Sequence, residues 1–211
     1  MHVQFIHSAD ILKHKKILSV GPIMVLPYVD EVQAKQAAHF AARRAGVEGT
    51  LLVVYDQHRL GFITIINHAF RATASPWFGY MAQDAFAGRA WLSLAIRAIQ
   101  TKKAGLLGFN DGKWQGQLAS FGVADRLWAE SVYEGNFFYP NYKSHFADTE
   151  LTLIARQQGR YVYEPNAVLI EVDWHKDTAP VNALDRKCYL QRAGLGFDGR
   201  VTDPQLMGLF A

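Results

Sequence analysis

Two acidic residues stand where a carboxylate could take part in chemistry. Asp56 and Asp84 each follow a run of apolar residues that reads as a buried strand. Carboxylates can hold a hard divalent cation or take a proton from an attacking group. In an open parallel sheet, ligands bind outside the carboxyl ends of the strands. The pattern therefore predicts a site at one sheet edge, with both carboxylates beside it.

Several common catalytic motifs are absent. The chain has no G-x-S-x-G and no H-E-x-x-H, and its one G-x-G-x-x-G, over 194–199, lies in the weakly patterned tail instead of opening the helix of a βαβ unit. The segment over 108–113 reads G-F-N-D-G-K, which has one residue too few between its glycines for a phosphate-binding P-loop and is followed by Trp114. The one cysteine, Cys188, excludes an intramolecular disulfide and a cysteine-based zinc site. These observations argue against nicotinamide Rossmann, P-loop, serine-hydrolase and zinc-protease chemistry in their usual forms.

The elements that must position the carboxylates begin with a βαβ unit. Residues 23–26 form a short apolar strand ended by Pro27, and residues 50–55 form a second, β-branched strand. Between them, Asp30 caps a helix over 32–45 that Gly46 ends. The later predicted elements are a helix over 63–73, a strand over 77–82, a helix over 85–103, a strand over 105–109, helices over 123–131 and 148–159, and strands over 161–163 and 167–172.

Length and composition agree with one folded α/β domain. The chain has 211 residues, of which 50% are hydrophobic and 19% charged. No apolar run is long enough to cross a membrane, so we expect a soluble, cytoplasmic protein without integral membrane association. The net charge of +3 permits an anionic ligand without requiring nucleic acid. The fold class predicted is a mixed, mainly parallel sheet flanked by helices in a single compact domain.

Taken in order, six segments resemble those of one enzyme family. They are the strand ending in Pro27-Tyr28, the strand Val53-Val-Tyr-Asp56, the helix carrying Asn67, the segment Phe78-Gly-Tyr-Met-Ala-Gln-Asp84, the helix start Phe146-Ala-Asp148-Thr-Glu150, and the late pair Trp174-His175. Over residues 23–176 this order resembles a nucleotide-sugar glycosyltransferase of the Rossmann-like GT-A fold, closest to the family 2 type. The resemblance implies transfer of a sugar from a nucleotide-activated donor, by default a UDP-sugar.

The resemblance also implies roles for particular residues. Asp148 would be the catalytic base. The donor would be bound by Pro27, Tyr28, Asp56, Asn67, Gln83 and Asp84. Asp84 and His175 would hold Mn²⁺ or Mg²⁺, and the acceptor would be bound by Trp114, Tyr142, His145 and Glu150. Ala85 and Phe86 follow Asp84 where the family has a second Asp, which leaves metal dependence open.

The predicted reaction is a single displacement with inversion, since one base is present and no second carboxylate nucleophile is evident. The acceptor could be a glycan, a lipid-linked sugar, a protein or a modified DNA base. One alternative is a nucleotidyltransferase, although Asp30 and Glu31 stand where its Gly-rich basic loop should be. Another is a nucleotide-sugar-binding module that has lost catalysis. The predicted domain covers 23–178, with an extension over 1–22 and a tail over 179–211.

Each acidic residue also has a purely structural interpretation. Asp56 could initiate a loop, and Asp84 could cap the helix predicted after it. Asp148 could cap its own helix, with Glu150 in the first turn. The helix dipole at that position is expected to favour the charged carboxylate of Asp148. Trp114, Tyr139, Tyr142 and His145 could be core or rim residues instead of acceptor contacts.

Overall fold

A computed structural model describes residues 1–13, 16–172 and 181–210 of the chain. The strands are β1 His2–His7, β2 Ile17–Leu18, β3 Ile23–Tyr28, β4 Thr50–Tyr55, β5 Thr73–Ala74, β6 Trp77–Tyr80, β7 Ala85–Ala87, β8 Leu106–Asn110, β9 Gly122–Asp125 and β10 Tyr161–Glu171. The helices are α1 Glu31–Arg44, α2 Phe62–Ala72, α3 Trp91–Lys102, α4 Arg126–Val132, α5 Ala147–Gln157, α6 Ala183–Gly194, α7 Gly196–Gly199 and α8 Pro204–Met207.

Eight strands form one sheet in the order β1-β4-β3-β6-β9-β8-β10-β7. The pairs β1–β4, β4–β3, β3–β6 and β8–β10 are parallel, whereas β9 is antiparallel to both of its neighbours and β7 is antiparallel to β10. The predicted α/β class with a mixed, mainly parallel sheet is therefore confirmed. The carboxyl ends of six strands, β1, β4, β3, β6, β8 and β10, point to one edge.

The predicted βαβ unit is β3–α1–β4. The side chain of Asp30 accepts hydrogen bonds from the amides of Val32 and Gln33 and so caps α1. The first five residues of β3 and of β4 are buried, as expected for central strands covered on both faces. β3 and β4 pair in register from Ile23 opposite Thr50 to Tyr28 opposite Tyr55, so the two strands end side by side.

The segment after Asp84 is not the long helix predicted over 85–103. It forms β7, whose residues alternate buried and exposed, and α3 begins only at Trp91. β7 pairs with the end of β10, with Ala85 opposite Glu171. A three-residue strand is too short to show its period of two against the helical pattern that follows. Because Asp84 precedes a strand, the interpretation of Asp84 as a helix cap is wrong.

The stretch predicted as a helix over 123–131 divides into a strand and a helix. β9 lies between β6 and β8 and pairs with both. This pairing makes the segment a strand, although its local sequence pattern predicts a helix. Asp125 ends β9 and caps α4, accepting a hydrogen bond from the amide of Trp128 at 2.9 Å. The two late predicted strands are one, β10, with a register shift between Tyr163 and Val168.

Two regions with weak sequence patterns take regular places in the fold. β1 adds an edge strand to the sheet, parallel to β4. At the other end of the chain, α6 packs through Tyr189 into the core that contains α5.

The core has one layer on each face of the sheet. One contains α2, α4, α5 and α6, and the other contains α1, α3 and β7. Within the described part of the chain, no helix is both long enough and apolar enough to cross a membrane.

Candidate functional site

The carboxyl edge of the sheet holds a cavity of about 300 Å³. It lies where β3 and β4 end together and where the chain leaves β6. Its lining consists of Pro27, Tyr28, Val29, Asp56, Arg59, Gly61, Phe62, Ala82 and Gln83. We call it the edge cavity. The structure thus brings together four of the predicted donor residues, namely Pro27, Tyr28, Asp56 and Gln83.

Asp56 shapes the loop that closes one side of the edge cavity. Its Oδ1 accepts the amide of Leu60 at 2.8 Å, and its Oδ2 accepts the amide of Gly61 at 2.9 Å. Gly61 has φ +92°, a conformation that favours glycine. The carboxylate of Asp56 therefore stabilises this loop and also borders the cavity, so both the structural and the donor-binding interpretation of Asp56 agree with its contacts.

Gln83 ties the edge cavity to the start of α1. Its Oε1 accepts the amides of Val29 at 2.8 Å and Asp30 at 3.1 Å, and its Nε2 donates to Oε1 of Gln33 at 3.0 Å. The side-chain amide of Gln83 thus fixes the loop between β3 and α1, next to Asp84 in the sequence. These contacts make Gln83 an organiser of the site as well as part of its wall.

Asp84 lies in the wall of a second cavity, of about 250 Å³. This cavity runs between α1 and β7, and Gln83 borders both cavities. The residue is 9% exposed, and its backbone carbonyl accepts the amide of Val172 at 3.1 Å. The end of β10 therefore lies beside Asp84. His175, the second predicted metal ligand, lies outside the described residues.

The donor set suits a hard cation only in part. The carboxylate of Asp84 is a ligand that Mg²⁺ and Mn²⁺ prefer. Among residues 1–13, 16–172 and 181–210, no three His, Cys, Asp or Glu side chains form a group that could hold a metal. A cation at Asp84 would therefore need further ligands, such as phosphate oxygens or water.

Asp148 faces the same edge from α5. It is half-buried in the first turn of the helix, which begins at Ala147 after Phe146 at the cap position, so Asp148 is not the cap. The charges of Asp111 and Glu171 act on its carboxyl group. Glu171 pairs with Ala85, the residue after Asp84. Asp148 therefore lies within electrostatic range of Glu171, at the end of β10 that pairs with β7.

Burial raises the pKa of Asp148 to about 6. Hydrogen bonds from backbone amides, including that of Thr149 at 2.9 Å, oppose this rise, and the charges of Asp111 and Glu171 add to it. The helix dipole was expected to favour the charged form. Desolvation of the carboxylate outweighs that effect, so Asp148 is a stronger base than a solvent-exposed aspartate.

Two of the predicted acceptor residues lie in the interior. Glu150 is fully buried and accepts hydrogen bonds from the hydroxyls of Tyr133 at 2.8 Å and Tyr142 at 2.9 Å. It also accepts two from the guanidinium of Arg192, at 2.6 and 2.7 Å. All these contacts are internal, so we do not carry Glu150 and Tyr142 into the proposed acceptor site.

Asn67 also serves the interior. Its Oδ1 accepts the amides of Phe137 and Phe138 at 3.0 and 2.8 Å, and its Nδ2 donates to the carbonyl of Phe138 at 3.0 Å. This arrangement fastens α2 to the loop over 136–138 through both the oxygen and the nitrogen of the amide. Asn67 is therefore left out of the proposed donor site.

Trp114, Tyr139 and His145 differ in their surroundings. Trp114 is half-buried and packs edge-on against Phe210, with ring centres 6.2 Å apart. The ring of Tyr139 is covered by Arg192 at 3.4 Å. His145 is partly exposed, three residues before Asp148. Trp114 and His145 remain predicted acceptor contacts, whereas Tyr139 is a packing residue.

Two residues at the edge have no role in the sequence-based prediction. Arg59 lines the edge cavity. Asp111 follows β8, and its Oδ1 accepts the amides of Lys113 at 2.9 Å and Trp114 at 2.8 Å. The sequence contains a signal for Asp111, because it follows a buried strand as Asp56 does, but Asn-Asp-Gly is also typical of a turn.

Comparison with protein-family models finds no match to the chain, and no curated protein matches it. Solved structures do match. TarS 1–349 from S. aureus in complex with UDP-GlcNAc aligns with a TM-score of 0.66 and 13% identity, over 90% of this chain and 71% of that chain. Mannosyltransferase PcManGT from Pyrobaculum calidifontis, in complex with GDP-Man and Mn²⁺, aligns with a TM-score of 0.59 and 13% identity, over 97% and 74%.

A third solved structure is glucosyl-3-phosphoglycerate synthase from Mycobacterium tuberculosis in complex with Mg²⁺ and UDP. It aligns with a TM-score of 0.54 and 13% identity, over 95% of this chain and 88% of that chain. These three are glycosyltransferases of the GT-A fold. At these identities the likeness shows the architecture, and the chain therefore has the GT-A fold.

Proposed function

We propose, from the GT-A fold and the site at its sheet edge, that this chain transfers a sugar from a nucleotide-activated donor to an acceptor hydroxyl. One observation carries the proposal. The edge cavity with Asp56 and Arg59, the carboxylate of Asp84 and the raised-pKa carboxyl of Asp148 belong to one edge of the sheet. A nucleotide site, a phosphate-facing carboxylate and a base are the parts that such a transfer needs.

The edge cavity is the proposed nucleoside site. Each carboxylate oxygen has two lone pairs, so Asp56 can accept a hydrogen bond from a base or ribose while it keeps the amides of Leu60 and Gly61. The ring of Tyr28 offers a face for the base. The guanidinium of Arg59 can bind a phosphate through paired N–H groups. A UDP-sugar is the default donor by resemblance. Complexes with a UDP-sugar and a GDP-sugar among the fold relatives keep both nucleotides open as donors.

Asp84, together with His175, would hold a divalent cation. When bound, Mg²⁺ or Mn²⁺ would supply positive charge toward the diphosphate of the donor. Ala85 and Phe86 follow Asp84 where a second carboxylate was expected, and neither side chain contributes charge. The charge on the protein side of this site is therefore one unit less negative than two carboxylates would make it.

Asp148 is the proposed base. With a pKa of about 6 it is mostly ionised at pH 7 and binds a proton more tightly than an ordinary aspartate. As the acceptor oxygen bonds to the anomeric carbon, its proton passes to Asp148. The bond from that carbon to the diphosphate oxygen breaks, and its electron pair leaves with the nucleotide.

Single displacement with inversion fits the state of the neighbouring carboxylate. Asp111 accepts two backbone amides at Oδ1, and its Oδ2 accepts the hydroxyl of Ser120. These hydrogen bonds stabilise the carboxylate and weaken it as a nucleophile. Trp114 and His145 are the proposed acceptor contacts, and the acceptor class stays open among glycan, lipid-linked sugar, protein and modified DNA base.

The donor site is tested by thermal shift with UDP, GDP, CMP and dTDP, each with and without Mn²⁺. A ligand that binds the folded state raises the melting temperature by mass action. We expect one nucleotide to raise it, with a smaller rise in Arg59→Gln and an unchanged rise in the control Arg97→Gln, an exposed position on α3. No rise with any nucleotide would contradict the proposal.

Catalysis is tested by release of the nucleotide from UDP-GlcNAc and GDP-mannose, with water or candidate glycans as acceptor. We expect Asp148→Asn to lower turnover by about 10²- to 10⁴-fold while nucleotide binding is kept. Glu48→Gln, an exposed position, is the matched control. Nucleotide binding without turnover by the parent chain would favour the binding-module alternative, and unchanged turnover in Asp148→Asn would show that the base is wrongly assigned.

A further inference from the structure

A cationic pocket of about 570 Å³ lies between the end of α1 and the start of α3. Because α1 runs back from the end of β3 to the start of β4, this pocket is at the opposite edge of the sheet from the edge cavity. We call it the arginine pocket. It is lined by His39, Phe40, Arg43, Arg44, Gly46, Arg89 and Ala90, and no acidic residue is among these.

Arg44 is held in place within the arginine pocket. Its Nη1 donates to the carbonyl of Ala87 at 2.8 Å. Its guanidinium carbon lies 4.8 Å from the ring centre of Phe40 and 4.7 Å from that of Phe86. A guanidinium fixed in this way loses little further freedom when it binds an anion, and its other N–H groups remain as donors.

Arg43 and Arg89 are exposed on either side of Arg44. Within residues 1–13, 16–172 and 181–210, none of the ion pairs involves Arg43, Arg44 or Arg89. Three positive charges therefore share one concave surface on which the described part of the chain places no carboxylate. Concave surfaces lined by a single sign of charge concentrate ions of the opposite sign.

The helix dipoles explain only part of this arrangement. Arg43 and Arg44 stand in the last turn of α1, where the helix end favours cations. Arg89 stands before Ala90, the cap residue of α3, at a helix start that disfavours a cation. The first turn of α3 holds no acidic residue, and no side chain caps it. A bound anion would relieve the repulsion at this position.

We propose that the arginine pocket binds the phosphate group of a phosphorylated ligand. Three arginines match a multiply charged anion, and the planar guanidinium fork fits phosphate oxygens in pairs. The arginine pocket shares no lining residue with the edge cavity, whereas Phe40 lines both the arginine pocket and the cavity that contains Asp84. Arg43 and Arg89 line neither of those cavities, so substituting them tests the arginine pocket apart from sugar transfer.

Binding of tripolyphosphate, measured by calorimetry at low and moderate salt, tests the proposal. The test variant is Arg43→Gln/Arg89→Gln, which leaves the packed Arg44 in place. The control variant is Arg97→Gln/Lys102→Gln, which removes the same charge from exposed positions of α3. We expect at least tenfold weaker binding in the test variant, near-parent binding in the control, and parent-like melting temperatures in both.

Vesicles containing an anionic phospholipid, assayed by co-sedimentation, distinguish the source of the phosphate. Sedimentation that depends on Arg43 and Arg89 would identify a lipid headgroup, and binding of tripolyphosphate without sedimentation would identify a soluble phosphorylated ligand. Either result supports the site. Absence of both kinds of binding, or equal loss in the two variants, would overturn it.

Discussion

At the residue scale, the surroundings of a carboxyl group decide what it does. Glu150 and Asp148 are two positions apart in α5, yet Glu150 is neutralised by Arg192 inside the protein, while Asp148 faces the sheet edge among other acidic groups. The charge of Glu150 is compensated, whereas among the described residues the charges that raise the pKa of Asp148 are those of two other acids, Asp111 and Glu171. The same residue class thus supplies a structural anchor at one position and a proposed base at the other.

The raised pKa of Asp148 predicts a pH-dependent stability. An aspartate in the unfolded chain has a pKa of about 4, so the folded state binds the proton more tightly. The protonated carboxyl of Asp148 therefore contributes fully to the stability of the folded state below about pH 4, and this contribution is lost as pH rises through about 6. We expect Asp148→Asn to be more stable than the parent at pH 7 by about 2–3 kcal/mol, and about equal at pH 4.

Urea unfolding of both proteins at pH 4, 5, 6 and 7 provides the measurement. The difference between them isolates Asp148 from the other carboxyl groups, which titrate alike in both. A difference that stays constant over this range would show that the pKa of Asp148 is not raised. Turnover of the parent should also rise with pH through about 6, because the base must be ionised.

At the element scale, α6 binds the chain through hydrogen bonds on both sides of Asp148. On one side, Asp185 accepts the amides of Lys143, Ser144 and His145 at 2.8–2.9 Å. On the other side, Arg192 binds Glu150, as described above. α6 therefore holds the turn from which the proposed base projects, although its sequence gave no pattern that assigned it a role.

Asp185→Asn is expected to weaken these contacts. An amide oxygen without charge cannot replace a buried carboxylate that accepts three hydrogen bonds, so we expect a loss of about 1–3 kcal/mol in the free energy of unfolding. Turnover should fall while the thermal shift with nucleotide remains. Lys187→Gln, exposed on the same helix, is the control. Parent-like stability and turnover in Asp185→Asn would exclude a positioning role for α6.

The centre of the sheet allows no side chain at Gly79 in β6. A Cβ there would lie 2.5 Å from the sulfur of Met24 and 2.6 Å from the carbonyl oxygen of Gly122 on the adjacent strand. We expect Gly79→Ala to cost about 1–3 kcal/mol by overpacking. Gly194→Ala, with no atom within 4 Å of the added Cβ, should not destabilise. Equal melting temperatures for the two variants would contradict the packing at β6.

At the scale of the whole molecule, one buried ion pair joins the end of the chain to the body. Arg192 binds Glu150 from 42 residues away and also contacts Asp198 at 3.1 Å. Burial disfavours the charge of Arg192, but hydrogen bonds and charge from Glu150 and Asp198 outweigh it and raise its pKa. The segment over 183–200 is therefore part of the folded body.

Arg192→Met tests this connection. It leaves the carboxylate of Glu150 buried without its cation, so we expect a loss of about 3–5 kcal/mol in the free energy of unfolding. The double variant Glu150→Gln/Arg192→Met should recover part of that loss, because no buried charge is then uncompensated. Urea unfolding measures both. A double variant less stable than Arg192→Met would mean that packing, not charge, dominates here.

The sequence by itself determined the βαβ unit and the edge at which Asp56 lies. β3, α1 and β4 have strong local signals, namely continuous apolar strands, a capping Asp30 and a parallel connection. The burial of these two strands is the burial that their own apolar sequences predict. The α/β class, and the sheet edge at which the candidate site lies, follow from local pattern and the rules of parallel sheets, while the roles of the site residues stay predictions.

Only the tertiary structure decided which polar residues face a cavity and which face the core. Asn67 binds a loop 70 residues away, and Glu150 binds a helix 42 residues away. β7 and β9 are strands because of the partners beside them. A side chain has the same chemistry in either setting. Its burial and its hydrogen-bond partners come from distant parts of the chain, which local sequence pattern does not encode.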